Sequence, residues 1–327
     1  MFFKIAFHTP QLDCRGTCVA LYDYADYNEK ILFNKSLIVV PKSAENEFSA
    51  FNKFNNRFKV FFYENIEDLE TYLINENYNI LYCIKYGKND NIFSKKIKTV
   101  IHCVFDLSEP HGDVYASVSE NLAKKYKTDL FVPHMISIMP ENNQNNMKNI
   151  LNIPENGIVF GRHGGMDTFN INFCIEIIKK IVREKNDIYF LFMNTPIFDN
   201  HKNIIFLDKN ADIEYKKLFI STCDAYIECG TLGHTFGLSI AEFSINNKPI
   251  IAYNGNVWNS AHLDILGDKG IYYKNEYEFY NILKDFDPKD YKNKDLNCYK
   301  EYSPEKVMQK FEEVFIKSSL HNINERR

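Results

Sequence analysis

Short apolar runs rich in β-branched and aromatic residues alternate along this chain with segments of helical period. In the first half the runs are FFKIAF (2–7), SLIVV (36–40), KVFFY (59–63), NILYCI (79–84), TVIHCVF (99–105) and DLFVP (129–133). Helical patterns lie between them at TCVALYDYA (17–25), IEDLETYLINE (66–76) and ENLAKKY (120–126). Continuously apolar strands separated by helices predict a parallel sheet covered on both faces. The segment PENNQNNMKN (140–149) breaks the pattern and reads as a linker, with MKNILNIP able to add a short helix at its end. The alternation then restarts, with strands at 157–161, 187–193, 203–207, 224–229, 248–253 and 270–273, and helices at 170–184, 212–221, 237–246, 275–284 and 304–317. Two βα arrays joined by one polar linker predict an α/β protein of two Rossmann-like domains facing a cleft. The expected bounds are 1–140 and 150–302, with residues 303–327 forming a C-terminal helix that packs back on the first domain.

Composition narrows the function. At 327 residues the chain has the size of two domains, and its 45% apolar and 25% charged content is that of a soluble globular protein. A formal net charge of -4, with no basic stripe, argues against a nucleic-acid partner. No apolar run reaches the roughly 20 residues of a transmembrane segment. The opening MFFKIAFHTPQLD is interrupted too early by Pro and Asp for a secretion signal and reads as a first strand. The cysteines are scattered, several of them inside apolar runs, which predicts reduced core thiols and a cytoplasmic protein.

Ligands of open α/β sheets bind beyond the carboxyl ends of strands, where loops enter helix N-termini. Three such places carry suggestive residues. In ECGTLGHTFGLSIAEF (228–243) a strand ends, a loop with Gly230, Gly233 and Gly237 follows, and a helix begins near Thr235 to Gly237. Free amides at that helix start favour a phosphate, and Glu242 either accepts from a ribose diol or merely counters the helix dipole from solvent. In VFGRHGGMDTFN (159–170), Gly161, Gly164 and Gly165 surround Arg162 and His163. The guanidinium either reaches a diphosphate or pairs with an acidic surface residue, and Asp167-Thr168 reads as a cap of the next helix. The third place is the first-domain rim. Arg15, Gly16 and Thr17 open the first helix there, His102 lies in an apolar strand, and His111-Gly112 lies in the loop beyond it. A histidine at His102 either contacts a sugar hydroxyl or is a satisfied core residue.

HTFGLSIAEF followed by INNKPIIAY resembles the signature of glycosyltransferase family 4, E-x-F-G-L-x-x-x-E with a turn and a strand after it. FGRHGG resembles that group's Gly-Arg turn, and VIHCVFD with the later VYASVSENLAKK resembles its His strand and S-x-x-L-A segment. The resemblance runs in order from residue 8 to about residue 253 and implies the GT-B fold. It assigns Glu242 to the ribose and the backbone of Thr235, Phe236 and Gly237, continuing into Leu238, to the diphosphate and sugar. Arg162, beside Gly161, is assigned to the diphosphate and His102 to the transferred sugar. Arg15, Gly16 and Thr17 take the place of the loop near the donor phosphates. The implied catalytic set is His102, Arg162, His234 and Glu242.

Two departures stand out. The first Glu of the signature is replaced by His234, preceded by Gly233, and the Lys that usually follows the Arg is missing, which leaves Arg15 to supply a second cation. The resemblance implies transfer from a nucleoside-diphosphate-sugar donor to a glycan or other acceptor hydroxyl, with retention, without a metal and without a cofactor. An epimerase of the same fold and a degenerate glycan- or partner-binding relative are the alternatives, and the oligomeric state is left open.

Overall fold

The computed structural model describes residues 2–138 and 145–319, and the chain divides into two compact units. The first runs up to Ser137 and takes in the chain again from Tyr302, and the second is Ile138–Glu301. Residues 140–144 of the expected linker, and 320–327 of the expected C-terminal helix, lie outside the described residues. From Asn145 the chain already belongs to the second unit, since the Met147 N–H donates to Thr222 Oγ1 at 2.8 Å. MKNILNIP makes one hydrogen-bonded turn rather than a helix, with the Leu151 N–H donating to the Met147 carbonyl at 2.9 Å.

The first unit holds β1 (Lys4–His8), α1 (Gly16–Lys30), β2 (Lys35–Pro41), α2 (Phe48–Asn55), β3 (Val60–Tyr63), α3 (Ile66–Asn75), β4 (Ile80–Lys85), β5 (Lys98–Cys103), β6 (Val114–Ser117) and α4 (Glu120–Lys125). Its strands form one parallel sheet in the order β3-β2-β1-β4-β5-β6. Every residue of β4, ILYCIK, is buried, as a central strand covered on both faces requires. Asn65 and Ser119 start α3 and α4 by accepting the Asp68 and Leu122 amides at 2.9 and 3.2 Å.

Two expectations fail here. DLFVP is not a strand: it makes one bridge, Phe131 to Ser117, because Pro133 lacks an N–H and the Val132 carbonyl is taken by His102 Nε2 at 2.8 Å. The sheet's last strand is instead VYAS, β6, which the short apolar pattern had not marked. Helix α2, a mixed polar segment, was not expected either.

The second unit holds β7 (Ile158–His163), α5 (Asn172–Glu184), β8 (Ile188–Met193), β9 (Ile204–Leu207), α6 (Ile213–Thr222), β10 (Ala225–Glu228), β11 (Gly233–His234), α7 (Leu238–Ile245), β12 (Ile250–Tyr253), β13 (Asn259–Ser260), α8 (Ala261–Leu266), β14 (Ile271–Tyr273) and α9 (Glu276–Asp285). The main sheet is parallel, in the order β14-β12-β10-β7-β8-β9, and β11 pairs with β13 in a separate two-stranded ladder. Numbered from the first strand of each unit, both six-stranded sheets have the order 3-2-1-4-5-6, the doubly wound arrangement with a switch point beside strand 1. The core is strongly aromatic: Phe160 on β7 stacks on Phe190 of β8 at 5.4 Å, and Phe192 stacks on Phe206 of β9 at the same separation. Helix α5 buries Cys174, Ile178, Ile181 and Val182, one stripe at helical spacing.

Helix α10 (Pro304–Phe311) continues into a π-helical turn, Glu312–Ile316, and packs within the first unit. Phe311 is 1% exposed. Its ring lies 5.4 Å from Tyr24 on α1, 6.3 Å from Phe7 on β1 and 5.3 Å from Tyr82 on β4. Lys98 Nζ donates to the Ile316 carbonyl at 3.0 Å and to that of Phe315, satisfying the helix end. One ring therefore ties three elements to the terminal helix. Phe311→Ala is expected to lower the unfolding free energy of the first unit by about 3–5 kcal/mol, read as an earlier urea transition in which the aromatic CD of the Tyr24–Tyr82 cluster is lost first.

Candidate functional site

The switch point of the second sheet lies between β7 and β10, and the polar residues collect at the carboxyl ends of these two strands. Arg162 is the next-to-last residue of β7 and is 1% exposed. Its guanidinium donates to Thr195 Oγ1 at 2.7 Å, to the Gly165 carbonyl at 2.8 Å, to Thr168 Oγ1 and weakly to the Asn194 carbonyl. Every one of these acceptors is neutral. Arg162 makes no ion pair among the described residues, and its Nε is buried with no partner. Burying a full cation among neutral dipoles is costly, and an anion placed at it would recover much of that cost. The alternative of an acidic surface partner is thereby removed. Thr168 is likewise not a helix cap: α5 opens only at Asn172, after Ile171, without a side-chain cap.

Glu228 ends β10 and is 2% exposed. Its Oε2 accepts from the Tyr226 hydroxyl at 3.0 Å and lies 3.0 Å from His234 Nε2, in a contact bent away from the ideal hydrogen-bond direction. Burial works against its charge, but His234 beside it and the Arg162 guanidinium together outweigh it and hold the carboxyl at about 2. The Tyr226 hydroxyl also meets Ser239 Oγ at 3.0 Å, which links the pair to the first turn of α7.

Gly237 precedes α7 with φ of +89° and gives no side-chain cap. The first amides of α7, from Leu238 on, therefore have no intrahelical or capping acceptor, and Ser239 on the same turn meets Tyr226. Gly233 is required by space as well as by its φ of +63°, because a Cβ there would lie 1.9 Å from the Asn259 carbonyl oxygen. That contact is what lets β11 pair with β13 and sets His234 beside Glu228. Thr235 and Phe236 are buried, and the Phe236 carbonyl accepts from the Tyr299 hydroxyl at 3.0 Å. Gly161 lies inside β7, packed against Cys223.

Glu242, one helical turn into α7, is 4% exposed and is not a solvated side chain. Lys216 Nζ on α6 donates to its Oε1 at 2.8 Å, and His163 Nε2 lies 3.0 Å from its Oε2. Burial alone would raise the Glu242 pKa, but the Lys216 charge, with His163 beside it, holds it down at about 2. Burial keeps His163 below its ordinary value, hence neutral, so Lys216 is the cation that matters. Both carboxylate oxygens face protein groups, which leaves a ribose only the lone pairs that remain.

Lys216 and Glu228 were not singled out by the sequence pattern, and His163 was named beside Arg162 without a role. Glu228 had a signal, since a carboxylate inside an apolar strand run needs a partner. Lys216 had none, because nothing in IEYKKLFIST sets it apart from the adjacent Lys217.

His102 lies in the core of the first unit, 0% exposed. Its Nε2 donates to the Val132 carbonyl at 2.8 Å and its Nδ1 accepts from the Tyr82 hydroxyl at 2.6 Å. Burial pushes it down to about 4. Both ring nitrogens are spent inside the unit, so the geometry is that of a satisfied core histidine and no sugar contact is carried forward for it. His111 Nδ1 is engaged by the Glu109 carbonyl at 2.7 Å. Arg15 is exposed just before α1, with Asp13 3.8 Å away, Gly16 is exposed and Thr17 half-buried. Among the described residues no three His, Cys, Asp or Glu side chains are grouped to hold a metal ion. The Asp-x-Asp triplet at Asp285 and Asp287 ends α9 at the surface, where Asp287 caps the next turn by accepting the Lys289 amide at 2.9 Å.

No family model and no curated protein sequence matches the chain. Solved structures do. Anabaena HepE in complex with UDP and glucose superposes with a TM-score of 0.65 at 12% identity, over 99% of this chain and 100% of that one. A glycosyltransferase from Rickettsia africae gives 0.65 at 14%, over 99% and 98%. A putative UDP-N-acetylglucosamine 2-epimerase from Listeria monocytogenes gives 0.64 at 11%, over 97% and 98%. The likeness shows the fold: two parallel α/β domains of six strands each, of the GT-B type. Among the described residues no helix is long and apolar enough to cross a membrane.

The Lys216–Glu242 pair has a definite pH signature. Its carboxyl is depressed from 4.5 to about 2, so the stability it contributes, about 3 kcal/mol, is present above pH 4.5 and lost as pH falls towards 2. Glu242→Gln is expected to lower the unfolding free energy by that amount at pH 7, with the gap from wild type closing below pH 3 in a series of urea titrations. A constant gap across that range would show that the pair is not ionised.

Proposed function

We propose that the chain is a glycosyltransferase that moves a sugar from a nucleoside-diphosphate-sugar, with UDP as the nucleotide, to an acceptor hydroxyl. The observation that carries this reading is the buried Arg162, answered only by neutral acceptors, at the switch point that also holds the uncapped start of α7. A diphosphate supplies the charge that Arg162 lacks and the acceptors that the α7 amides lack. The GT-B neighbours with UDP or UDP-glucose support the choice of nucleotide.

In this reading Arg162 and the α7 amides bear the leaving diphosphate. Lys216 is neutralised by its ion pair with Glu242, so Arg162 is the cation of this unit that faces the leaving group. These groups stabilise charge as it develops on the leaving oxygen, which is where electrostatic catalysis acts. The leaving group is then carried by Arg162 and the amides rather than by a metal. Front-face displacement with retention follows if the leaving phosphate oxygen itself takes the acceptor proton, since no side chain need then stand opposite the leaving group.

A second reading, epimerisation of the nucleotide sugar, is favoured by one observation: the buried carboxylate Glu228 sits against His234, a pair able to handle a proton. The neighbouring epimerase fold agrees with it. The two readings separate in deuterated water, where an epimerase exchanges a sugar C–H and a transferase does not.

Calorimetry with UDP and UDP-sugars in the presence of EDTA tests the main reading. Wild type is expected to bind, and Arg162→Met to lose about 10- to 100-fold in affinity, the worth of a charge-assisted hydrogen-bond pair. Arg162→Lys, which keeps the charge without the planar fork, is expected to fall between them. Equal affinity in all three proteins would remove Arg162 from the site.

A further inference from the structure

The side chains around His234 fix more than its position. His234 sits on β11, and the Cβ position of Gly237, which precedes α7, lies 3.5 Å from its Cβ. Its ring meets two groups. Glu228 Oε2, from β10, lies 3.0 Å from Nε2, and His262, from α8, lies edge-on with ring centroids 5.0 Å apart. His262 is fully buried, and both its nitrogens lack partners. Burial holds it at about 3, so it is a neutral wall and does not compete with His234 for the Glu228 carboxylate.

His234 Nε2 is buried, whereas its side chain is 20% exposed. Nδ1 is not among the buried unpartnered atoms and has no hydrogen-bond partner among the described residues, so it is the open nitrogen of the ring.

We infer that Glu228 and His234 act as one unit that presents an unprotonated Nδ1 to a sugar hydroxyl beside the diphosphate, making His234 the specificity-determining residue and Glu228 its positioning residue. The inference rests on the glycosyl-transfer reading for the identity of the ligand, whereas the proton on Nε2 is argued from the Glu228 contact. An ionised carboxylate has only lone pairs to offer. Glu228 Oε2 already accepts from Tyr226, so the ring nitrogen 3.0 Å away must carry the proton if the contact is to be favourable. A neutral imidazole protonated at Nε2 is an acceptor at Nδ1. The pair therefore carries the acceptor character of a buried carboxylate outward, by one ring, to a partly exposed atom. Its place beside the start of α7 puts that atom next to whatever is linked to a diphosphate bound there. In a nucleotide sugar that neighbour is the hexose, whose hydroxyls can each donate.

Two measurements test the two halves separately. Long-range 15N–1H NMR of histidine-labelled protein reads the tautomer of His234, assigned by loss of its signal in His234→Ala. The expected result is Nε2–H in wild type and a shift towards Nδ1–H, or a mixture, in Glu228→Gln, whose amide can donate to Nε2. Far-UV CD melting of the same sample confirms that the variant is folded, and a folded wild type with a proton on Nδ1, as the other tautomer or as the imidazolium, overturns the inference.

The second measurement is turnover of UDP-glucose and its single deoxy analogues, followed as released UDP. Wild type is expected to reject one deoxy analogue by at least about 100-fold in kcat/KM, as sites built to bind a hydroxyl do. His234→Ala is expected to remove most of that preference while the ranking of the other analogues holds. An unchanged ranking in His234→Ala overturns the sugar role. Failure of wild type to bind any UDP-sugar overturns the proposed function and the sugar role with it, while the tautomer still decides whether the Glu228–His234 unit exists.

Discussion

The second unit is organised by the need to answer charges buried at the carboxyl ends of two adjacent strands. Arg162 from β7 and Glu228 from β10 are both almost fully buried, yet they do not touch. Each is solvated by its own shell, Arg162 by Gly165, Thr168 and Thr195, and Glu228 by Tyr226 and His234. Only through space does the guanidinium help to keep the carboxyl ionised. Such separation costs more than a direct pair would, and a protein that needed only stability would close it. What the separation leaves is a cation with an unspent Nε beside a helix start with unspent amides. The loop from Gly164 to Thr168 is wrapped on the guanidinium, and the turn from Gly233 to Gly237 is set by a backbone contact that excludes any Cβ at Gly233. Both loops are thus shaped around the same polar centre.

The parts of this arrangement that sequence could reveal are those in which backbone geometry dictates residue type. Apolar runs gave the strands because parallel strands are covered on both faces, and the spacing of Cys174, Ile178, Ile181 and Val182 gave α5. The turn from Gly233 to Gly237 was visible because its backbone requires glycine at both ends, and the loop at Arg162 because glycines flank the cation. What stayed hidden depends on which neighbour a strand or helix acquires. Lys216 and Lys217 look alike in IEYKKLFIST, but only the first turns towards α7, where its ammonium meets Glu242. Tyr226 and Glu228 share a face by strand alternation, a two-residue pattern too short to stand out within DAYIEC. Strand order itself is not written in any local pattern. Two adjacent sheet positions, β7 and β10, are far apart in sequence, and no spacing rule joins His163 to Glu242.

His102 shows the opposite failure, a residue type read for chemistry that serves packing. An imidazole in an apolar strand has two polar nitrogens to satisfy, and the first unit satisfies both locally, with a tyrosine on the next strand and a carbonyl from the segment after α4. That second bond also explains why the segment at Phe131 fails to extend the sheet. Its Val132 carbonyl is turned inward to the ring, so it is unavailable to a ladder. A polar group and a strand end compete for one acceptor, and the buried group, with no water as an alternative, wins.

The same physical accounting bears on how one fold serves different reactions. The solved neighbours include a glycosyltransferase and an epimerase at almost equal structural likeness and at identities of 11–14%. Overall shape therefore does not discriminate between them. The anion site proposed for Arg162 and the start of α7 suits either reaction, because in both the diphosphate is the leaving group. The difference must lie in what stands next to the sugar. A carboxylate there is a strong acceptor and, if its pKa rises, a proton donor. An imidazole held by a buried carboxylate is an acceptor whose orientation is fixed from behind, so it reads a hydroxyl without bringing a second negative charge close to the diphosphate. In a site where the leaving group is itself doubly charged, moving the carboxylate one ring further away lowers like-charge repulsion in the bound state. It also keeps the hydrogen-bond acceptor in place. On the proposed reading, the Glu228–His234 pair is thus an electrostatic solution to placing acceptor character beside a diphosphate.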